Sequence, residues 1–419
     1  MRVALLSYRS KPHCGGQGVY VRHLARELAA LGHVVDVYSG QPYPELDQPD
    51  ARSVDGGRVD LHPLPSLDLY RDDDPFRLPH LREWRDVIDA LEVGGMCSGG
   101  FPEPLTFSLR AARALARRRG DYDVVHDNQS LGYGLLALRR LGMPLVSTVH
   151  HPVTIDRRLE LAAATSRRQR LSLRRWYSFT RMQTRVARAS DAIITVSESS
   201  ARDIGTEFGI RREAVRVVPV GVDARTFVPP TLPRVRGRIV SVASSESRLK
   251  GTTVLLEAVA KLATERDVEL VIVGAPRPDG LVAHAVADLG IAERVRFVAG
   301  LTTSAVAQLL GSAQVAVVPS LYEGFSIPAV EAMACETPLV ATRAGALPEV
   351  VGDCAVLVNA GDAGELAAAV AGLLDDAPRR SALGAAGRRR VEDRYSWRSV
   401  AAATVEVYRD VIETGRAHG

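Results

Sequence analysis

A chain of 419 residues is too long for one ordinary hydrophobic core, so roughly two or three domains are expected. Hydrophobic residues make up 46% and charged residues 24%, the balance of a soluble globular protein; no apolar run reaches the roughly 18–20 residues that cross a bilayer. The net charge of +4 is too small to point to a nucleic-acid partner.

Met1-Arg2-Val3-Ala4-Leu5-Leu6 reads as a strand, with no cleavable signal pattern after it, so a cytoplasmic location is expected. Strand-like runs follow at Val34–Tyr38, Val124–His126, Leu145–Val149, Ala192–Val196 and Val215–Val218, with helical spacing between them at Val19–Leu31 and Leu131–Leu141. The stretch Gln41 to Pro104 breaks this rhythm. Its prolines, its Asp72-Asp73-Asp74 and its small-residue run Gly94 to Gly100 fit a binding loop or lid as well as a disordered surface loop, with Tyr70, Phe76, Trp84, Phe101 and Phe107 favouring partial order. Pro219-Val220-Gly221-Val222-Asp223 and the prolines to Pro233 mark a linker. The strand pattern then restarts at Arg238–Ala243, Leu270–Val273, Val295–Val298, Val315–Val318 and Leu339–Ala341. Alternating strands and helices predict two doubly wound α/β domains with a ligand cleft at the carboxyl ends of their strands.

Cysteines at 14, 97, 335 and 354 are scattered, with neither metal-like nor disulfide-like spacing. Lysine occurs only at 11, 250 and 261, so 50 of the 53 basic residues are arginine and Lys250 stands out.

Four places carry chemistry. Glu323 and Glu331 lie eight residues apart around the turn Gly324-Phe325-Ser326-Ile327, between an apolar strand ending at Pro319-Ser320 and a helix opening at Pro328. A carboxylate beside helix N–H groups can hold sugar hydroxyls while the free amides face phosphate oxygens; taken alone, the pair also suits a helix cap and a solvated helix residue. Gly15-Gly16-Gln17-Gly18 after the first strand allows close backbone approach to a pyrophosphate or sugar, though a plain strand–helix turn reads the same way. Arg248-Leu249-Lys250-Gly251 sits where cations reach a diphosphate, or forms a solvated basic turn. His126-Asp127-Asn128 and His150-His151-Pro152 end adjacent strands, as structural or as catalytic groups.

Together these residues resemble the retaining family 4 glycosyltransferases of the GT-B fold. The resemblance spans the chain through Gly15-Gly16, Val218 to Asp223 with Phe227, Lys250-Gly251, Pro319 to Glu331, Gly345 to Val351, and Tyr395-Ser396-Trp397. It implies an acceptor-side domain at 1–225 with an irregular insertion at about 41–104, a nucleotide-sugar domain at 226–395, and a C-terminal helix, 396–419, packing back on the first domain. By resemblance Glu323 holds donor-sugar hydroxyls, Glu331 the nucleotide ribose, Lys250 and Arg248 the diphosphate, and the amides of Gly324, Phe325, Ser326 and Ile327 the sugar and phosphate. Gly15, Gly16 and Val298 complete the expected donor site; His150 and Asn128 join Glu323 as catalytic candidates; His126, His151 and Gln17 are acceptor-side candidates.

Three departures stand out. Ser244 and Ser245 occupy the place of the family's arginine, Ser326 replaces its glycine, and Asn128 replaces its sugar-contacting histidine. The implied reaction moves a hexose from a nucleoside diphosphate, with UDP expected, to an acceptor left open among lipid, small metabolite, aglycone and polysaccharide. No cofactor is expected, and no metal, because the cations are side chains. A same-fold epimerase or hydrolase and a silent sugar-binding subunit are the alternatives; the missing G-x-G-x-x-G argues against a dehydrogenase. Finally, Asp156 to Ser190 holds ten arginines and is long enough for one continuous helix, with Leu171, Trp176, Met182 and Val186 on its core face. Outward arginines there suit a solvated face, an acidic acceptor or loose contact with the inner face of a membrane. Oligomeric state is left open.

Overall fold

The computed structural model describes residues 1–10, 16–48, 56–71, 74–242 and 247–417. The chain divides into two compact units. One comprises Met1–Val196, Ser200–Val218 and Val400–Gly419; the other comprises Ser197–Ser199 and Pro219–Ser399.

The first unit is built on seven strands: β1 (Arg2–Ser7), β2 (Val34–Ser39), β3 (Arg58–Pro63), β6 (Val124–Asn128), β7 (Leu145–Val149), β8 (Ala192–Thr195) and β9 (Val215–Val217), with β4 (Tyr70–Arg71) and β5 (Asp74–Pro75) forming a separate short hairpin. The sheet order is β3-β2-β1-β6-β7-β8-β9, and every pairing within it is parallel. Unbroken burial along β6 and β7 reflects helices covering both faces. The helix Gly16–Ala30 turns Tyr20, Val21, Leu24, Ala25 and Leu28 inward at three- and four-residue spacing.

The second unit has six strands: β10 (Val235–Val242), β11 (Glu269–Val273), β12 (Val295–Val298), β13 (Ala313–Val318), β14 (Leu339–Thr342) and β15 (Val356–Val358). Their order is β12-β11-β10-β13-β14-β15, again all parallel. Its core joins Ile239, Leu270, Val315 and Val340 from the sheet to Leu255, Val259, Leu366 and Val370 from its helices. Both units are Rossmann-like. In each, strand order reverses beside the first strand, between β1 and β6 and between β10 and β13. At such a switch point the loops leaving the two strands diverge to opposite faces and open a crevice.

Three regions differ from the sequence reading. The irregular stretch 41–104 supplies edge strand β3 and the helix Val87–Cys97, and it packs Leu67, Leu69, Tyr70 and Met96 with Phe101 and Trp176 into a small core. Strand β3 buries only Val59 and leaves Arg58, Leu61 and Pro63 exposed at the sheet edge, and its mixed composition hid it. The proline-rich stretch after Val218 is tied down: Val222 N–H donates to the Tyr395 carbonyl at 2.8 Å, and Arg388 Nη1 to the Phe227 carbonyl at 2.7 Å. The arginine-rich segment is three helices, Val153–Ala163, Arg167–Trp176 and Thr180–Ala189. Ser166 caps the second by accepting from Gln169 N at 3.1 Å, a local bond that competes with a continuous helix. Leu171, expected on the core face, is 52% exposed.

Candidate functional site

In the second unit, the candidates lie on the turns that follow β10 and β13, the two strands at the switch point. Residues 243–246, which include Ser244 and Ser245, lie outside the described residues. Beyond them Arg248–Lys250 forms a 3-10 turn with Arg248 exposed, and Gly251 caps the helix Thr252–Ala263 at φ 64°. A Cβ on Gly251 would stand 2.0 Å from the Pro319 carbonyl oxygen, so glycine is required both for the left-handed backbone and for the close approach. Leu321 N–H donates to the Leu249 carbonyl at 2.7 Å and fixes the two turns against each other.

That registration delivers Lys250 to Glu323. Lys250 Nζ donates to Glu323 Oε1 at 2.8 Å, and Ser320 Oγ donates to the same oxygen at 2.7 Å. Glu323 is 8% exposed. Its backbone is held as firmly: the Glu323 carbonyl accepts from Ala346 N–H at 2.9 Å, and a Cβ on Gly345 would lie 2.1 Å from that carbonyl oxygen. Thr342 Oγ1 donates to the Ser320 carbonyl from the end of β14. In the sequence Ser320 served only as part of the Pro-Ser context of Glu323 and was given no role of its own.

The turn continues through Gly324 and Phe325. The Phe325 ring is buried edge-on against Tyr395, with centroids 5.6 Å apart. Ser326 and Ile327 then open the helix Ile327–Ala334, Ser326 standing at its N-cap without a side-chain cap bond. Glu331 lies one turn inside, partly buried, and desolvation pushes its carboxyl up to about 7. Val298 ends β12, where its carbonyl accepts from Gly274 N–H at 2.7 Å.

In the first unit, the ends of β6 and β7 carry the other candidates. His126 is fully buried, with Nδ1 2.6 Å from the Tyr408 hydroxyl and Nε2 2.7 Å from Thr148 Oγ1. Burial drives its pKa down to about 3. Both ring nitrogens are engaged inside the protein, so His126 ties the C-terminal helix to the sheet and presents no free nitrogen to an acceptor. Asn128, also fully buried, accepts from His150 Nε2 on Oδ1 at 2.8 Å, while its Nδ2 has no hydrogen-bond partner among the described residues. Burial first, and His151 second, lower the His150 pKa to about 3. Its ring meets Tyr20 edge-on at 4.9 Å. A neutral imidazole that donates through Nε2 keeps a lone pair on Nδ1.

Gln129 was missed and joins the two strand ends. Its Oε1 accepts from His150 N–H at 2.6 Å and its Nε2 donates to the His151 carbonyl at 2.9 Å, at a φ of 58°. His151 itself pairs with Asp156 at 2.9 Å. Gly16 opens the first helix, Gln17 hydrogen-bonds the partly buried Tyr8, and Gly15 lies outside the described residues. Asp72 and Asp73 also lie outside them, and Asp74 pairs with Arg71 at 3.4 Å. No group of His, Cys, Asp and Glu suited to a metal ion occurs among the described residues, and no described helix is long and apolar enough to cross a membrane.

Comparison with known proteins agrees with this architecture. The family description "Glycosyltransferase Family 4" matches residues 14–226, and "Glycosyl transferases group 1" matches residues 236–376. The chain is 56% identical over 415 residues to an MMP alpha-(1->4)-mannosyltransferase of Mycolicibacterium hassiacum, covering 98% of each chain. It is 32% identical to D-inositol 3-phosphate glycosyltransferase 2 of Catenulispora acidiphila, covering 99% of this chain and 96% of that one. Among solved structures it resembles a sucrose-phosphate synthase of Thermosynechococcus elongatus, with a TM-score of 0.73 at 22% identity over 99% of both chains. Anabaena HepE, solved with UDP-glucose, gives a TM-score of 0.67 at 16% identity over 98% of this chain and 100% of that one.

Proposed function

The chain belongs to glycosyltransferase family 4, and from that premise we propose that it moves a mannosyl group from a nucleoside diphosphate mannose to a sugar hydroxyl, forming an α-(1→4) bond. The 56% identity to a mannosyltransferase supports the sugar and the linkage. The observation that carries the donor site is the Lys250–Glu323–Ser320 cluster beside an uncapped helix N-terminus. A carboxylate, an ammonium and the backbone amides of the turn meet the three demands of such a donor, namely sugar hydroxyls, diphosphate charge and a departing oxyanion.

In this reading Glu323 orients the sugar, Lys250 and Arg248 neutralise the leaving diphosphate, and Glu331 accepts from the ribose hydroxyls. An α-linked donor giving an α-linked product retains configuration. Double displacement at an enzyme carboxylate would need two carboxyls about 5 Å apart around the anomeric carbon. We assign a single carboxylate, Glu323, to the transferred sugar, so the acceptor attacks from the face the diphosphate leaves, and a phosphate oxygen takes its proton. The first unit serves the acceptor. Asn128 Nδ2, without a partner among the described residues, donates to a sugar hydroxyl in this reading, and a neutral His150 beside it orients the amide without itself supplying a proton at neutral pH. Side-chain cations make a divalent metal unnecessary in this scheme.

The test incubates the purified protein with GDP-mannose, UDP-mannose or UDP-glucose and manno-oligosaccharide acceptors, with and without chelator, and reads linkage by NMR. The expected product is an elongated α-(1→4) oligosaccharide formed equally well in chelator. Free mannose or an epimerised nucleotide sugar as sole product would replace transfer with hydrolysis or epimerisation.

A further inference from the structure

Ser326 holds a conformation that costs energy and leaves its hydroxyl unused. Its backbone sits at φ 89°, ψ 80°, a region that serine seldom enters and glycine enters freely. A serine at a helix N-cap ordinarily accepts from an amide of the first turn, but Ser326 makes no such bond. The residue is 4% exposed, and its Oγ has no hydrogen-bond partner among the described residues. A buried hydroxyl without a partner is itself unfavourable. Glycine would avoid both costs, so the side chain needs a reason from outside the protein.

The neighbouring chemistry suggests one. Three residues back on the same turn, Glu323 is held by Lys250 and Ser320. An ionised carboxylate can only accept, so a sugar hydroxyl bound to Glu323 donates its single proton there and keeps lone pairs to accept with. A serine hydroxyl can fill that need. We propose that Ser326 Oγ donates to the same donor-sugar hydroxyl that donates to Glu323, forming a chain from serine to sugar hydroxyl to carboxylate in which each bond strengthens the next. Ser326 is then a specificity-determining residue that demands one hydroxyl of the hexose at one position and in one orientation. The proposal rests on Glu323 being the sugar-binding carboxylate of the donor site.

The experiment is a double-mutant cycle between protein and substrate. Wild type, Ser326→Ala and Ser326→Gly are assayed with the nucleoside diphosphate mannose that supports transfer, and with its analogues deoxygenated at one ring position at a time. Ser326→Ala is expected to lower kcat/KM about tenfold on the natural donor, the worth of one hydrogen bond in a desolvated site. For one deoxy donor, and for no other, that penalty should vanish. Ser326→Gly should show the same loss while raising the Tm, because it releases the backbone strain. A Ser326→Ala enzyme within about twofold of wild type, or a penalty that persists with every deoxy donor, would overturn the proposal. Lys250→Ala and Glu331→Ala are run alongside. If both keep wild-type donor affinity, the donor site itself is misplaced and this inference goes with it; if they lose affinity while Ser326→Ala does not, only the serine's role is refuted.

Discussion

Glu323 and Glu331 are the same side chain eight positions apart in opposite surroundings. Glu323 is matched by a lysine and a serine hydroxyl, whereas desolvation acts on Glu331 and pushes it up to about 7 from an ordinary 4.5. Between those two values the folded chain keeps a proton that the unfolded chain has released. Stability therefore falls as pH rises through this window, and the loss is complete above 7. Glu331→Gln should remove the effect, stabilising the protein at pH 8 by about 1–3 kcal/mol and converging on wild type towards pH 5. Thermal melts of both proteins across that range test the sign; a constant difference would show a carboxylate already solvated. Nucleotide affinity should run the other way in wild type and strengthen as Glu331 ionises. Spacing and the surrounding Pro-Ser and Glu-Gly-Phe made both acids legible in the sequence. Their different surroundings were not, because a matching lysine 73 positions upstream becomes a neighbour only once two strands pair.

The turns after β10, β13 and β14 behave as one element, Gly251 packing the first against the second and Gly345 the third against the second. Gly345→Ala would force a Cβ against the Glu323 carbonyl at a φ of 54°, and should cost about 1–3 kcal/mol in stability. It should lower turnover at least tenfold, because it moves the carboxylate proposed to hold the sugar. Denaturant melts and steady-state kinetics on one preparation check both; a stability loss with unchanged kcat would detach Gly345 from the site. The arginine-rich helices lie at the other extreme. Arg167–Trp176 buries no residue, so Leu171→Ala should change stability by less than about 0.5 kcal/mol. If its arginines hold the protein at a surface, co-sedimentation with anionic liposomes will fall between low and physiological salt; no pelleting in either buffer would leave that face simply solvated. The length of this segment suggested one helix. Its break depends on Ser166 preferring a cap bond to a helical interior, a choice that composition alone does not reveal.

At the scale of the molecule, most strands were readable because parallel strands covered on both faces are apolar throughout, as in Leu145–Val149. Besides the short hairpin β4–β5, the strands that escaped were β3 and β15, an edge strand of mixed character and a run of three residues, Val356–Val358. The long helix Trp397–Ala417 supplies Tyr408, whose hydroxyl meets the buried His126 at 2.6 Å. Tyr408→Phe leaves that nitrogen without its partner and should cost about 1–3 kcal/mol, read as a lower denaturant midpoint with an unchanged slope.

The same helix has a bearing on how the polypeptide is made. The second unit runs nearly unbroken from Pro219 to Ser399, whereas the first needs residues from both ends of the sequence, through Val400 and beyond. On a translating ribosome the half synthesised first must therefore wait for the segment from Val400 onward to emerge before it is complete. The half synthesised second can close on itself earlier. A nascent chain arrested after Ser399 should yield a protease-resistant fragment from the later half and leave the earlier half open to cleavage, the reverse of the order in which the codons are read.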